Sequence, residues 1–220
     1  MVLGGALMSE QRVMEMLRSC DALLEGHFRY TSGRHGRVYF EKIRIVHEPV
    51  MVDELGAMMA QTCADLADSI DVVCAPAFGA IVFGYSTALH MDRPFSFLQR
   101  DQEGTMSIRS GFRPALEGRR VLLVEDVCTT GGSLRESIDA LRGIDAEVVC
   151  AGLIVDRTGG ELDIGVPYRA LLTVRAESWS PEECPLCREG VPMSTPGSSG
   201  KRQDQPRQDR VRSLPPAFAL

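Results

Sequence analysis

Thirteen residues, 121–133 (VLLVEDVCTTGGS), constrain this chain more than any other stretch. They open on the apolar run Val121-Leu122-Leu123-Val124. Such a run, closed off by turn residues, predicts a strand buried on both faces in a parallel sheet. Glu125 and Asp126 come next, followed by Val127, Cys128, Thr129, Thr130, Gly131, Gly132 and Ser133, most of them small or hydroxylated. Leu134, Ile138 and Leu141 then recur at helical spacing, so a helix starts near Ser133. The order is strand, acidic pair, Gly/Thr loop, helix.

That order suits a phosphorylated sugar. Loop amides and a helix N-terminus attract phosphate. Gly131 and Gly132 let the backbone curl round it, and Thr129, Thr130 and Ser133 add hydroxyl donors. Facing the phosphate, the two acids would repel it. One step back, at the strand end, they can accept hydrogen bonds from sugar hydroxyls. A plain strand-to-helix turn with an Asp cap explains any one of these residues, but it needs neither adjacent acids nor the run of small residues.

The flanking sequence fits a layered α/β domain. Residues 1–8 read as a loose extension, with Met8 an alternative start. Val13, Met16, Leu17 and Cys20 mark a helix from about Ser9 to Cys20, which Leu23-Leu24-Glu25-Gly26 ends. Phe28 to Phe40 reads as two short strands outside the main sheet, bent at Thr31-Ser32-Gly33. Residues 51–68 carry the clearest amphipathic spacing, including Val52, Leu55, Met59 and Cys63. Strands are expected at 72–75, 95–98, 148–155 and 170–174, with a helix over 81–89. This βαβα succession implies a parallel sheet covered on both faces. Ligands bind such sheets beyond the carboxyl ends of the strands, where the loops after Ala75, Leu98, Val124 and Val155 lie.

Three of those loops carry further candidates. The amides of Gly79 and Ala80 could hold a diphosphate, or Pro76 to Ala80 could be a plain β-α turn. The stretch 99–110 is a mobile loop or a hairpin, whose Arg100 and Arg109 could meet phosphate oxygens or simply be solvated. Arg157, in Asp156-Arg157-Thr158-Gly159-Gly160, could grip a planar carboxylate bidentately or pair with Asp156 to brace the loop. Cys184 and Cys187 form one CxxC. A structural zinc site usually takes four ligands, no second CxxC exists, and all four histidines are distant in sequence. Neither a metal nor a redox role is therefore expected of the pair, and no metal ligand from the protein is expected.

Composition excludes several classes. A net charge of −6 argues against a general nucleic-acid binder. No apolar run approaches a membrane span, and the first residues lack a signal-peptide pattern. Seven cysteines, an odd number placed partly in core segments, read as reduced thiols of a cytoplasmic protein. Residues 195–220, rich in Pro, Ser, Gly, Gln and Arg, read as a disordered tail.

VLLVEDVCTTGGS resembles the phosphoribosyl-pyrophosphate (PRPP) motif of type I phosphoribosyltransferases. The likeness narrows to orotate phosphoribosyltransferases through LLEGHFRYTSGRHGRVYFEK (23–42), PAFGAIVFGY (76–85), MSIRSGF (106–112), GLIVDRTGG (152–160) and CPLCREGVP (184–192). It runs from about Met14 to about Pro192. The resemblance implies a doubly wound α/β fold over 9–194, with a small cap from about 9–45 and 176–194. It implies transfer of the 5-phosphoribosyl group from PRPP to orotate, giving orotidine 5′-monophosphate and diphosphate in pyrimidine (UMP) biosynthesis. Glu125 and Asp126 would hold the ribose hydroxyls and balance positive charge on the ring. Thr129 to Ser133 would hold the 5′-phosphate, with Val127 and Cys128 also binding PRPP. Gly79 and Ala80 would contact diphosphate. Thr129, Arg157, Ser32 and Gly33 would contact orotate.

Mg²⁺ would come with PRPP and water, without direct protein ligands. The 99–110 loop would act as a lid, its Arg100 and Arg109 reaching the neighbouring site of a homodimer, with Arg100 catalytic. No nucleic acid or membrane partner is implied. The chain departs from the family at Ala80 for a second glycine, in a lysine-free lid with Ser110 in place of a basic residue, at Thr31 for lysine and at Gly36 for serine. Two alternatives stand beside this reading. One is a phosphoribosyltransferase for another base. The other is a non-catalytic PRPP-responsive regulator, which would bring a DNA-binding domain that the chain does not display.

Overall fold

The structure is a computed structural model that describes residues 3–195, apart from Thr31 and Ala176, with backbone only for residues 3–8. Helix α1 (Leu3–Ser19) leads into the hairpin β1 (Leu23–Arg29) and β2 (His35–Phe40). Helices α2 (Lys42–Val46) and α3 (Pro49–Thr62) follow, then a short 3-10 turn over Ala64–Ser69. The central alternation is β3 (Val72–Pro76), α4 (Ile81–Met91), β4 (Phe95–Arg100), β5 (Met106–Ser107), α5 (Arg113–Leu116), β6 (Arg120–Cys128), α6 (Gly132–Arg142), β7 (Glu147–Asp156) and β8 (Tyr168–Thr173). The short elements β9 (Ser178–Trp179), α7 (Pro185–Arg188) and β10 (Met193–Ser194) close the described chain.

The main sheet runs β5-β4-β3-β6-β7-β8, parallel except for the antiparallel edge strand β5. β6 lies inside it, paired to β3 and β7, which is why its residues are apolar on both faces. Alternation along β6 sorts them. Leu122 and Val124 face Val13, Leu55, Met59 and Phe83, from α1, α3 and α4. Val121 and Leu123 face Leu134, Ile138 and Leu141 of α6. Arg120 clamps the start of β6 by a two-pronged grip on Asp71, at 2.8 and 3.1 Å, and holds that carboxyl well below the usual carboxylate range.

A second sheet, β10-β1-β2-β9, joins the N-terminal hairpin to the end of the domain. β10 runs parallel to β1, and β9 antiparallel to β2. This is the cap expected from the two terminal segments. No helix among the described residues is long and apolar enough to cross a membrane.

Several boundaries differ from the sequence reading. The first helix starts earlier than Ser9: its backbone is helical from Leu3, because a nucleated helix gains one hydrogen bond for each residue added. It ends in a Schellman arrangement, with Asp21 left-handed (φ 54°), Asp21 N donating to Arg18 O and Ala22 N to Leu17 O at 2.8 Å. That early stop frees Leu23 to Gly26 for β1 rather than for the helix end. β6 continues through Glu125 and Asp126, so the acids stand on the strand and not after it. The tail read over 195–220 lies outside the described residues beyond position 195.

Candidate active site

The site gathers at the carboxyl end of the parallel sheet. Glu125 and Asp126 are 7% and 2% exposed, which is costly for two neighbouring acids without compensation. Three groups supply it. Asp126 Oδ1 accepts from Val127 N at 2.6 Å and from Lys42 Nζ at 3.1 Å. The Lys42 ammonium also lies 2.9 Å from Oδ2, a charge contact without hydrogen-bond alignment. Glu125 Oε1 accepts from Asp126 N at 3.0 Å. Burial, then the Asp126 carboxylate, pushes the Glu125 pKa up. Burial opposes the Lys42 charge, but Asp126 and then Glu125 outweigh it and hold the Lys42 pKa above its ordinary value. Lys42 opens α2, at the foot of the cap hairpin, so this pair ties the cap to the catalytic edge of the main sheet.

The loop after β3 comes down on the same carboxylate. A Cβ at Gly79 would stand 2.1 Å from Asp126 Oδ2 and 3.2 Å from Lys42 Nζ, so only glycine fits there. The Ala77–Phe78 peptide of this loop is cis. Ala80 is buried at the start of α4, whose N-terminus has no side-chain cap.

Beyond β6, Thr129 and Thr130 are exposed and Cys128 is buried. Gly131 takes φ 77°, a left-handed turn that L residues disfavour, and α6 begins at Gly132, also without a side-chain cap. Its first amides therefore point into the loop with no side-chain acceptor, the arrangement that binds anions. Arg135 pins the loop from behind, donating to Thr130 O at 2.8 Å.

Arg157 sits between this loop and the cap. Its amide donates to Cys128 O at 2.9 Å, and its guanidinium lies 5.0 Å from the Tyr30 ring centre and 5.3 Å from that of Phe40. Its Nε is buried and has no hydrogen-bond partner. The bracing role falls instead to Asp156, which is fully buried and accepts from Thr158 N and Oγ1, both at 2.7 Å, and from Gly160 N at 3.0 Å. Ser32 and Gly33 form the bend next to Tyr30, with Gly33 N donating to Tyr30 O at 2.9 Å. Thr31 lies outside the described residues. Gly36 leaves room for Tyr30, whose hydroxyl would stand 2.1 Å from a Cβ there and donates to Val38 O. Any side chain at that position would collide with this tyrosine.

The 99–110 segment is a hairpin, β4 paired antiparallel to β5. Arg100 is held by its own chain: it pairs with Glu136 of α6 at 2.7 Å and donates to Gly104 O. Arg109 is exposed just after β5. The structure thus unites Glu125, Asp126, the 128–133 loop, Gly79, Ala80 and Arg157, and leaves Arg100 and Arg109 on the separate hairpin. Sequence reasoning did not assign Lys42 to the site. Its placement at the end of the family-like stretch 23–42 was the available signal.

Residues 44–183 match the phosphoribosyl transferase domain family. The chain is 42% identical over 194 residues to the orotate phosphoribosyltransferase of Caldicellulosiruptor bescii, covering 88% of this chain and 100% of that one. It is 39% identical over 196 residues to that of Caldicellulosiruptor saccharolyticus, covering 87% and 98%. Among solved structures, the orotate phosphoribosyltransferase from Aeropyrum pernix superimposes with a TM-score of 0.62 at 24% identity, covering 73% of this chain and 93% of that one, which speaks for the fold alone.

Proposed function

The chain belongs to the orotate phosphoribosyltransferase family, and from that premise we propose that it transfers the 5-phosphoribosyl group of PRPP to orotate. The C1′–O bond to diphosphate breaks, a bond from orotate N1 to C1′ forms, and the products are orotidine 5′-monophosphate and diphosphate. Orotate carries its charge on the carboxylate and a proton on N1, and that proton passes to the departing diphosphate or to water as the N1–C1′ bond forms. The work is positioning and charge. The uncapped amides of the 128–133 loop and α6 take the 5′-phosphate. Asp126 and Glu125 accept the ribose hydroxyls and face the positive charge that grows on the ring. Gly79 and Ala80 offer amides to the departing diphosphate.

The observation that carries the choice of base is Arg157. A buried guanidinium donor without a partner, stacked by Tyr30 and Phe40 beside the Thr129 loop, suits a flat anion. Ser32 and Gly33 would close over the ring from the cap. Mg²⁺ suits the same edge: Asp126 Oδ2, buried and without a hydrogen-bond donor, and Glu125 are hard oxygen donors within reach of a PRPP-bound ion through water. When bound, that ion neutralises charge on the diphosphate.

The active form proposed is a cytoplasmic homodimer. Exposed Ile43, Val50, Phe78, Tyr85 and Leu89 support a self-association face. Val46, Pro49, Val52, Ile81, Val82 and Tyr85 line an apolar groove of about 420 Å³ there, continuous with the Gly79 loop through Ile81. Arg100 would exchange Glu136 for the neighbouring diphosphate, and Arg109 would follow on the same hairpin. An absorbance assay of orotate consumption with PRPP and Mg²⁺, beside adenine, hypoxanthine and uracil, tests the reading. Orotate alone should be consumed; use of a purine, or of uracil as fast as orotate, would overturn it.

A further inference from the structure

A second buried polar cluster lies in the cap, away from the acidic pair. His27 of β1, His35 of β2, and Cys184 and Cys187 flanking the first turn of α7 bring one side-chain atom each to within 4.8 Å of all the others. The histidines sit near the turn end of the antiparallel hairpin, where Arg29 pairs with His35 and Phe28 with Gly36. The two-residue spacing of Cys184-Pro185-Leu186-Cys187 turns both thiols to one side of a tight knuckle. Leu186 packs inward behind them at 2% exposure.

The distances discriminate between a metal cage and a hydrogen-bonded group. Around a tetrahedral zinc with Zn–N of about 2.0 Å and Zn–S of about 2.3 Å, N···N edges are about 3.3 Å and N···S edges about 3.5 Å. His27 Nε2 lies 3.2 Å from His35 Nδ1. The N···S distances are 3.5 Å from His27 Nε2 to Cys184, 3.7 Å from it to Cys187, and 3.3 Å from His35 Nδ1 to Cys187. A hydrogen-bonded group fails on counting. His27 Nδ1 is 2.8 Å from Val191 O, and a carbonyl only accepts, so Nδ1 carries the proton and Nε2 a single in-plane lone pair. That lone pair faces three neighbours at once. One cation at the common centre satisfies all four atoms, and the His27–Val191 bond is the outer contact that fixes a metal-bound imidazole.

We propose that His27 Nε2, His35 Nδ1 and the Sγ atoms of Cys184 and Cys187 form a structural zinc site. Two thiolates and two neutral imidazoles balance the dication and leave no open position, so the ion serves as a staple, not a catalyst. It joins the hairpin to the C-terminal segment, whose two-residue strand β10 offers little pairing of its own to β1. The hairpin also carries Tyr30 beneath Arg157 and ends one residue before α2, where Lys42 meets Asp126. The staple therefore sets the wall of the active site without touching it.

The test is metal analysis of the full chain purified under reducing conditions without added metal. About one zinc per chain is expected, and the metal-free protein titrated with Co²⁺ should give the intense visible bands of tetrahedral cobalt with sulfur-to-metal charge transfer. Cys184→Ser/Cys187→Ser should lose the zinc and the sulfur band. If that pair fails to fold, Cys187→Ser alone, at the exposed ligand, should keep the circular dichroism of the parent and bind zinc at least ~10-fold more weakly. Wild-type protein that holds no zinc and gives octahedral or no cobalt spectrum overturns the proposal. So does zinc that survives loss of both thiols, or a Cys184–Cys187 disulfide in the protein as isolated.

Discussion

The acidic pair at the end of β6 and the His/Cys group of the cap both bury polar side chains, but the chain encodes them in opposite ways. Glu125 and Asp126 adjoin the loop and helix they work with, and a single strand-loop-helix passage, β6 to α6, presents them. His27 and Cys184 lie 157 positions apart and meet only because β1 pairs with β10 and the knuckle folds back over the hairpin. One cluster leaves Asp126 Oδ2 without a hydrogen-bond partner, as a site for exchangeable ligands must be. The other buries three of its four side chains, with Cys187 at the surface, and its four atoms face one another. A cluster built by local geometry can be tuned for chemistry with the fold intact, whereas a cluster built by tertiary closure is part of what holds the fold together.

That contrast can be broken at its strongest point first. Asp126→Asn should keep the melting temperature within a few degrees and lower kcat by about 10²-fold or more, since an amide cannot balance a cationic ribose. Steady-state kinetics beside a thermal melt decides it: unchanged turnover removes Asp126 from the mechanism, and a collapsed melt makes the acidic cluster structural after all.

Arg157→Ala should come next. Losing a two-pronged contact to an anion amounts to about 1.5–3 kcal/mol, roughly 10–100-fold in kcat/KM for orotate. The KM for PRPP should stay nearly constant. A loss shared equally between the two substrates would move Arg157 out of the base subsite.

Arg100 sharpens the comparison from a third side, because it is tied to Glu136 of its own chain yet assigned here to a neighbouring site. Arg100→Ala should lower kcat several-fold with the fold intact. Mixed with Asp126→Asn and allowed to exchange, it should regain part of the activity, because some heterodimer sites then carry neither lesion. Demonstrated exchange without recovery would confine Arg100 to its own chain.

The smallest effect expected is on the pH dependence of the ligand-free protein. Burial and Asp126 raise Glu125 in the folded state from an ordinary 4.5 to about 8. The folded protein then holds a proton that the unfolded chain has released, so this residue's stabilising share is complete below pH 4.5 and is lost as pH rises toward 8. Glu125→Gln should flatten the fall in melting temperature across that window. An identical slope in the variant would show that Glu125 is ionised throughout.

Where the chain's own order carried the signal, the reading held. The buried strand at 121–124, the glycine turn at 131 and the helix after it follow from hydrophobic run length, glycine placement and spacing within one short passage. The parallel sheet follows from repetition of that unit, and the paired strands of 28–40 from alternation around a bend. Where the signal depended on a partner far along the chain, it was lost. Lys42 looks like any surface lysine until α2 sets it 2.9 Å from Asp126. Arg157 is ambiguous between bracing Asp156 and binding a ligand until the hydrogen bonds assign the bracing to Thr158 and Gly160.

The sequence by itself determined the α/β architecture, the strand-turn-helix passage from β6 to α6 and the family, because local propensity and spacing are properties of neighbouring residues. Only the tertiary structure decided which side chains share a charge and which four atoms share a centre. His27, His35, Cys184 and Cys187 become a group when two sheet pairings and one knuckle close together. Sequence distance says nothing about that closure, since the entropy cost of joining a loop grows only as the logarithm of its length.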